Sequence, residues 1–158
     1  LNLFAVAHPR PLAPRQYAVS LKFATSSPET FGAEGLAPEE VKKRIENTER
    51  SAAGYERWFE RPGENFNIAV EEALFLSNSV EVQDQLLDGG GLMKTLATLA
   101  KPEEQIRLAS RSILLREPSA DEISLLSGYL AGRSDQPQDA LRQLVWAILS
   151  SSETRFNY

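Results

Sequence analysis

No cysteine occurs among the 158 residues. A disulfide framework, a thiolate zinc site and a C-x-x-C-H haem attachment are therefore excluded within this chain. Histidine and methionine occur once each, as His8 and Met93. That pair could ligate a haem iron axially only with an attachment motif that is missing. Apolar runs are short, and none approaches the roughly 18 residues that would span a bilayer. The opening Leu1 to Ala7 is apolar but lacks a charged n-region and is too short for a signal peptide. A start at Leu1 reads as a piece of something longer. The net charge of -5 comes without a basic patch, which argues against nucleic acid as a partner.

What is present is ordinary for a globular chain, with 42% hydrophobic and 25% charged residues. At this length a fold buries roughly 70% of the surface exposed by the unfolded chain, enough for a core without staples. The charge is uneven. Arg10, Arg15 and Lys22 precede the first acidic residue, Glu29, whereas eight acidic residues between Pro62 and Glu104 face only Lys94 and Lys101. Such bias is read here as a solvated face, although it could mark a docking surface.

Helical periodicity organises the chain. Pro9, Pro11 and Pro14 favour extended chain over residues 1–13, an arm or linker lying across the body through Leu3, Phe4 and Val6. Residues 14–158 form a single helical domain. Pro14 suits a first helical position, and Tyr17, Leu21 and Ala24 predict a helix ending near Ser26. Ser26 to Pro38 reads as a loop. A helix from Pro38 carries sparse apolar marks at Val41, Ile45, Ala52, Tyr55, Trp58 and Phe59 and stops at Arg61-Pro62-Gly63. Phe66 to Asn78 is apolar around most of its girth and is expected to be the central helix, with Glu71 and Glu72 wet.

Val80, Val82, Leu86 and Leu87 predict a short helix stopped by Asp88-Gly89-Gly90-Gly91, expected to be the most mobile loop. Leu92, Leu96 and Leu99 outline another helix. Pro102-Glu103-Glu104 open one with the face Ile106, Ala109, Ile113 and Leu114. Ser119 and Glu122 form a capping box, and Gly132 is the expected C-terminal cap. Asp135 near Pro137 starts the final helix, with Leu141, Leu144, Val145, Ile148 and Leu149 inward. The expectation is an all-α irregular bundle of seven or eight helices without significant sheet, its three C-terminal helices packed on the central one.

Four stretches together carry a resemblance: RPLAPRQYAVSL (Arg10 to Leu21), EEALFLSNS (Glu71 to Ser79), RLASRSILLREPSADEI (Arg107 to Ile123) and WAILSSSETRFNY (Trp146 to Tyr158). They resemble the C-terminal portion of a planctomycete domain of unknown function found in large proteins that often carry cytochrome-c-like domains. The resemblance implies export to the periplasm or cell surface, with other domains of the same parent protein or cell-envelope proteins as partners. It implies no catalytic residue and no cofactor.

Motifs that could carry chemistry are thin. Asp88 to Thr95 (DGGGLMKT) evokes a phosphate loop, yet such a loop needs glycine directly before the lysine and Met93 stands there. Glu71 and Glu72 point about 100° apart on a helix and do not converge on one substrate. No G-x-S-x-G elbow surrounds Ser150, Ser151 or Ser152. Trp146 follows Val145 in a helix and reads as core. Trp58 and Phe59, flanked by Arg57 and Arg61, are the weak candidates for a binding surface. The function expected is a non-catalytic structural or interaction module of a larger exported protein. The alternative is an accessory polysaccharide-binding domain using exposed aromatics, with no metal site in either case.

Overall fold

The computed structural model describes residues 10–59, 76, 78–80, 82–89 and 91–157. The predicted central helix falls almost wholly outside the described residues, as do Leu3, Phe4, Val6, His8, Arg61, Glu71 and Glu72. Within them the fold is all-α, apart from one ribbon of two residues a side.

Proline sets the starts. Pro14, Pro38, Pro102 and Pro137 each open a helix: α1 (Pro14–Thr25), α3 (Pro38–Ala52), α5 (Pro102–Leu114) and α7 (Pro137–Leu149). There the missing N–H costs nothing and the ring presets φ. Further helices among the described residues are α2 (Glu29–Gly32), inside the segment expected to be a loop, α4 (Leu92–Thr98) and α6 (Ala120–Ala131). Helix α6 carries the expected capping box, in which Ser119 Oγ accepts from Glu122 N at 3.2 Å and Glu122 Oε2 accepts from Ser119 N at 2.7 Å.

Before the C-terminal turn, two described segments depart from α geometry, and packing explains both. After α3 the chain tightens into a 3-10 helix, Ala53–Trp58. Three residues per turn bring Ala52 and Tyr55 onto the same buried side, against α1. Val82–Asp88 instead widens into a π-helix. Its i, i+4, i+5 spacing turns Val82, Leu86 and Leu87 inward together.

Helix α7 buries Leu141, Leu144, Val145, Ile148 and Leu149 as its pattern requires. It packs on α4, α5, α6 and the π-helix. Helix α1 buries Tyr17, Ala18 and Leu21 against α3, the 3-10 helix and α5. Helix α5 thus serves both halves of the core through Ile106 and Ala109. Gln105 on α5 donates from Nε2 to the carbonyls of Leu96 (3.2 Å) and Leu99 (3.0 Å), closing the end of α4. Trp146 is half-buried against the core, and its Nε1 donates to the Leu76 carbonyl at 2.8 Å. That bond ties α7 to the end of the stretch expected to be central.

The chain ends meet. A 3-10 turn, Ser152–Arg155, leads into β2 (Phe156–Asn157), which pairs antiparallel with β1 (Arg10–Pro11). Leu12 N donates to Arg155 O at 2.9 Å, extending the ribbon by one bond. Residues 10–12 are thereby fastened to the C-terminal end.

The glycine run has a steric role at its last member. Gly91 has φ +97° and bridges to Ser26 across the fold. A Cβ there would stand 3.0 Å from Ser27 N and 3.1 Å from Ser27 Cβ. Gly132 does end α6, but in right-handed geometry; the left-handed cap is instead Leu115, at the end of α5.

Leu96, with 0% exposure, provides a test of the core. Leu96→Ala should cost about 2 to 5 kcal/mol in urea unfolding, with the slope against denaturant unchanged. Gly91→Ala should cost about 1 kcal/mol or more in the same measurement, since the left-handed backbone and the close approach of Ser27 both oppose a side chain.

Candidate functional site

Helix α1 turns its best apolar positions inward, which leaves Phe23 on the border of that face. The ring rests tilted on Phe31, with centroids 4.9 Å apart. Opposite lies the end of α5, where Ile113 is buried and Leu114 half-buried. Between them opens a groove of about 560 Å³, closed at one end by Leu12 and Phe156 and bordered by Glu153.

Leu115 forms the lip. Its φ of 56° places it in the left-handed region, where glycine or asparagine normally ends a helix. Its side chain is 88% exposed. A leucine so placed gains little from burial and pays a steric penalty of roughly 1–2 kcal/mol for its backbone. Sequence reading offered no sign of it, because a leucine after Leu114 simply continues an apolar face.

The next residue fixes the lip in place. Arg116 forks between two carboxylates from distant parts of the chain. Nε and Nη2 donate to Glu153 at 2.7 and 2.9 Å, while Nη1 and Nη2 donate to Glu122 at 3.0 and 2.8 Å. This joins the α5–α6 turn, the first turn of α6 and the C-terminal 3-10 turn. Arg107 and Arg111 converge on the neighbouring Glu117, the former at 3.1 Å.

Charge placement shifts the titrations accordingly. The Glu122 carboxyl falls to about 2, chiefly because Arg116 bonds its ionised form and secondly because the Ser119 backbone N–H does. Glu117 is lowered by Arg111 first, with Arg107 adding to it. Arg116 is raised by Glu122 and Glu153. Lys22 is lowered by burial, its Nζ lying 4.8 Å from the centre of the Tyr55 ring.

The sequence-derived candidates do not assemble. Trp58 is 39% exposed, with the Arg57 guanidinium 5.2 Å from its ring centre. Phe59 is 6% exposed and meets Tyr17 edge-on at 4.7 Å. The expected surface pair is therefore split, because the 3-10 helix ends at Trp58 and the chain turns extended at Phe59. Arg61 lies outside the described residues. Met93 is half-buried against the core. Among the described residues no acidic, histidine or cysteine group clusters in a way that could hold a metal, and no helix is long and apolar enough to cross a membrane.

No family model matches the chain, and neither a curated protein nor a solved structure matches it.

The Arg116 clamp predicts a pH dependence with a definite sign. Glu122 titrates lower in the folded than in the unfolded chain, so its contribution is complete above about pH 5 and is lost as the pH falls towards 2. Arg116→Gln should flatten the acid limb of the stability–pH curve between those values. An unchanged limb in chemical unfolding would mean that the clamp contributes nothing; its members are partly exposed, so high salt should shrink the effect.

Proposed function

We propose that this chain is a non-catalytic helical interaction module of a larger exported protein, and that it docks an apolar polypeptide segment of that protein in the groove between α1 and α5. Leu115 is the observation that carries the reading: a leucine held outside its preferred backbone region on the rim of an apolar groove. Strained, exposed apolar residues concentrate where a surface is completed by something else. Leu115 stands out from the rim instead of lining a closed cavity, so it suits a surface brought to it and not a small molecule. Export and a partner domain in the same polypeptide follow from the resemblance of Arg107 to Ile123 and Trp146 to Tyr158, stretches that build the lip and the groove's end. The polysaccharide-binding alternative keeps only Trp58, since Phe59 lies inside.

The test separates stability from binding at one residue. Leu115→Gly relieves the backbone and removes no buried contact, so it should raise stability by about 1 kcal/mol. In the same variant, the NMR shifts that the remainder of the parent polypeptide induces at Phe23, Ile113 and Phe156 should disappear. Undiminished shifts, or none in the wild-type chain, would overturn the reading. Saturable binding of a soluble glycan that Trp58→Ala abolishes would favour the alternative.

A further inference from the structure

Helix α6 is covered on one side only. Leu130 is its one buried side chain, with Ile123, Leu126 and Tyr129 half-buried against the core. The opposite face runs through Asp121, Ser124, Leu125, Gly128, Ala131 and Gly132 at spacings of three and four, and all six are exposed. Outward faces of surface helices normally carry charge, as α3 does with Glu39, Lys42, Lys43, Glu46 and Glu49. The outward face of α6 has a single charge, Asp121, and near its middle stands Leu125, 73% exposed.

The features of this face match one another when the helix is laid antiparallel on a second α6. Leu125 is one turn from Gly128, where a Cβ would meet no heavy atom within 4 Å. Leu125 of each copy then enters the gap over Gly128 of the other, with the helix axes at the close end of the usual range of roughly 8–10 Å. That register brings Asp121 level with Gly132 and Arg133 of the second copy. Neither Asp121 nor Arg133 forms an ion pair within its own chain among the described residues. The Arg133 guanidinium lies 5.4 Å from the centre of the Tyr129 ring. Stacked so, it keeps its N–H edge for a carboxylate.

We propose that this face is a homotypic contact, through which two copies of the chain pair antiparallel about a two-fold axis passing between Leu125 and Gly128. A two-fold interface has to be complementary to itself, with each residue and its counterpart meeting twice. Here the protruding leucine and the gap, like the acid and the base, lie on opposite sides of one midpoint. An unrelated partner has no need of either match. The helix has 12 residues and is about 18 Å long, so the contact covers well under the ~800 Å² per partner of a stable complex and is weak and reversible. It shares no residue with the α1–α5 groove, so pairing and groove docking stand or fall separately.

Sedimentation equilibrium of the full chain at low ionic strength should show monomer and dimer with a dissociation constant on the order of 0.1 mM. Asp121→Arg and Arg133→Asp, both at exposed positions, should stay folded by circular dichroism and each weaken the dimer about tenfold. Mixed in equal amounts, the two variants should associate as well as the wild type, because both contacts then join opposite charges. Leu125→Gln should also weaken the dimer about tenfold, without touching any charge. A chain that stays monomeric at millimolar concentration, charge variants that pair as tightly as the wild type, a mixture no tighter than either variant alone, or an unchanged dimer in Leu125→Gln would each overturn the proposal. So would a monomer whose Leu125 and Gly128 amide shifts respond only to the remainder of the parent polypeptide, which would assign the face to another domain.

Discussion

A guanidinium sealed from water sets the terms for the rest of the packing. Arg155 is 1% exposed, and a charge so placed costs several kcal/mol unless its surroundings replace its hydration. Its Nη1 donates to the Leu12 carbonyl, 143 residues away, and the Tyr17 and Phe59 rings face it at 4.6 and 6.0 Å. One side chain thereby gathers the start of the described chain, α1, the end of the 3-10 helix and the C-terminal turn. The β1–β2 ribbon follows from this meeting, because Leu12 and Arg155 are also joined through their backbones. So does the closed end of the groove, built from Leu12 and Phe156.

That arrangement accounts for both the strengths and the failures of sequence reading. Helices α4 to α7 were legible because their apolar residues recur at three and four, proline opens α5 and α7, and Ser119 with Glu122 forms a local motif at the start of α6 needing no tertiary partner. The 3-10 and π segments were legible as helical but not by type. Their periods are decided by neighbours, as when Val82, Leu86 and Leu87 must all reach the core. Phe59 was misplaced for the same reason. Two arginines beside an aromatic pair read as surface, and periodicity treats arginine as wet, so nothing local announces that Arg155 will need Phe59 inside.

The candidate groove was illegible at its decisive point. Ile113, Leu114 and Leu115 form an uninterrupted apolar string, and only the backbone turn at Leu115 separates the two that pack from the one that does not. Glycine was expected to supply left-handed geometry, at Gly132; among the described residues the fold places it at Gly35, at Gly91, where Ser27 approaches closely, and at Leu115. Leu115 is the one of these three that carries a side chain, and that difference singles out the lip.

Magnitudes decide whether the lip could be an incidental by-product of the ion-pair network beside it. Partly exposed pairs such as those of Arg116 with Glu122 and Glu153 contribute about 0–1 kcal/mol each, whereas the left-handed leucine costs about 1–2. The clamp therefore holds the turn in register without comfortably offsetting the strain. The larger stabilisation comes from the buried faces of α5 and α7, which keep Ile113 and Leu149 inside whatever follows them. A domain whose total stability is typically about 5–15 kcal/mol can carry one such conflict. It lies beside an open apolar surface and away from the buried arginine that fixes the chain ends, the placement the proposed docking calls for.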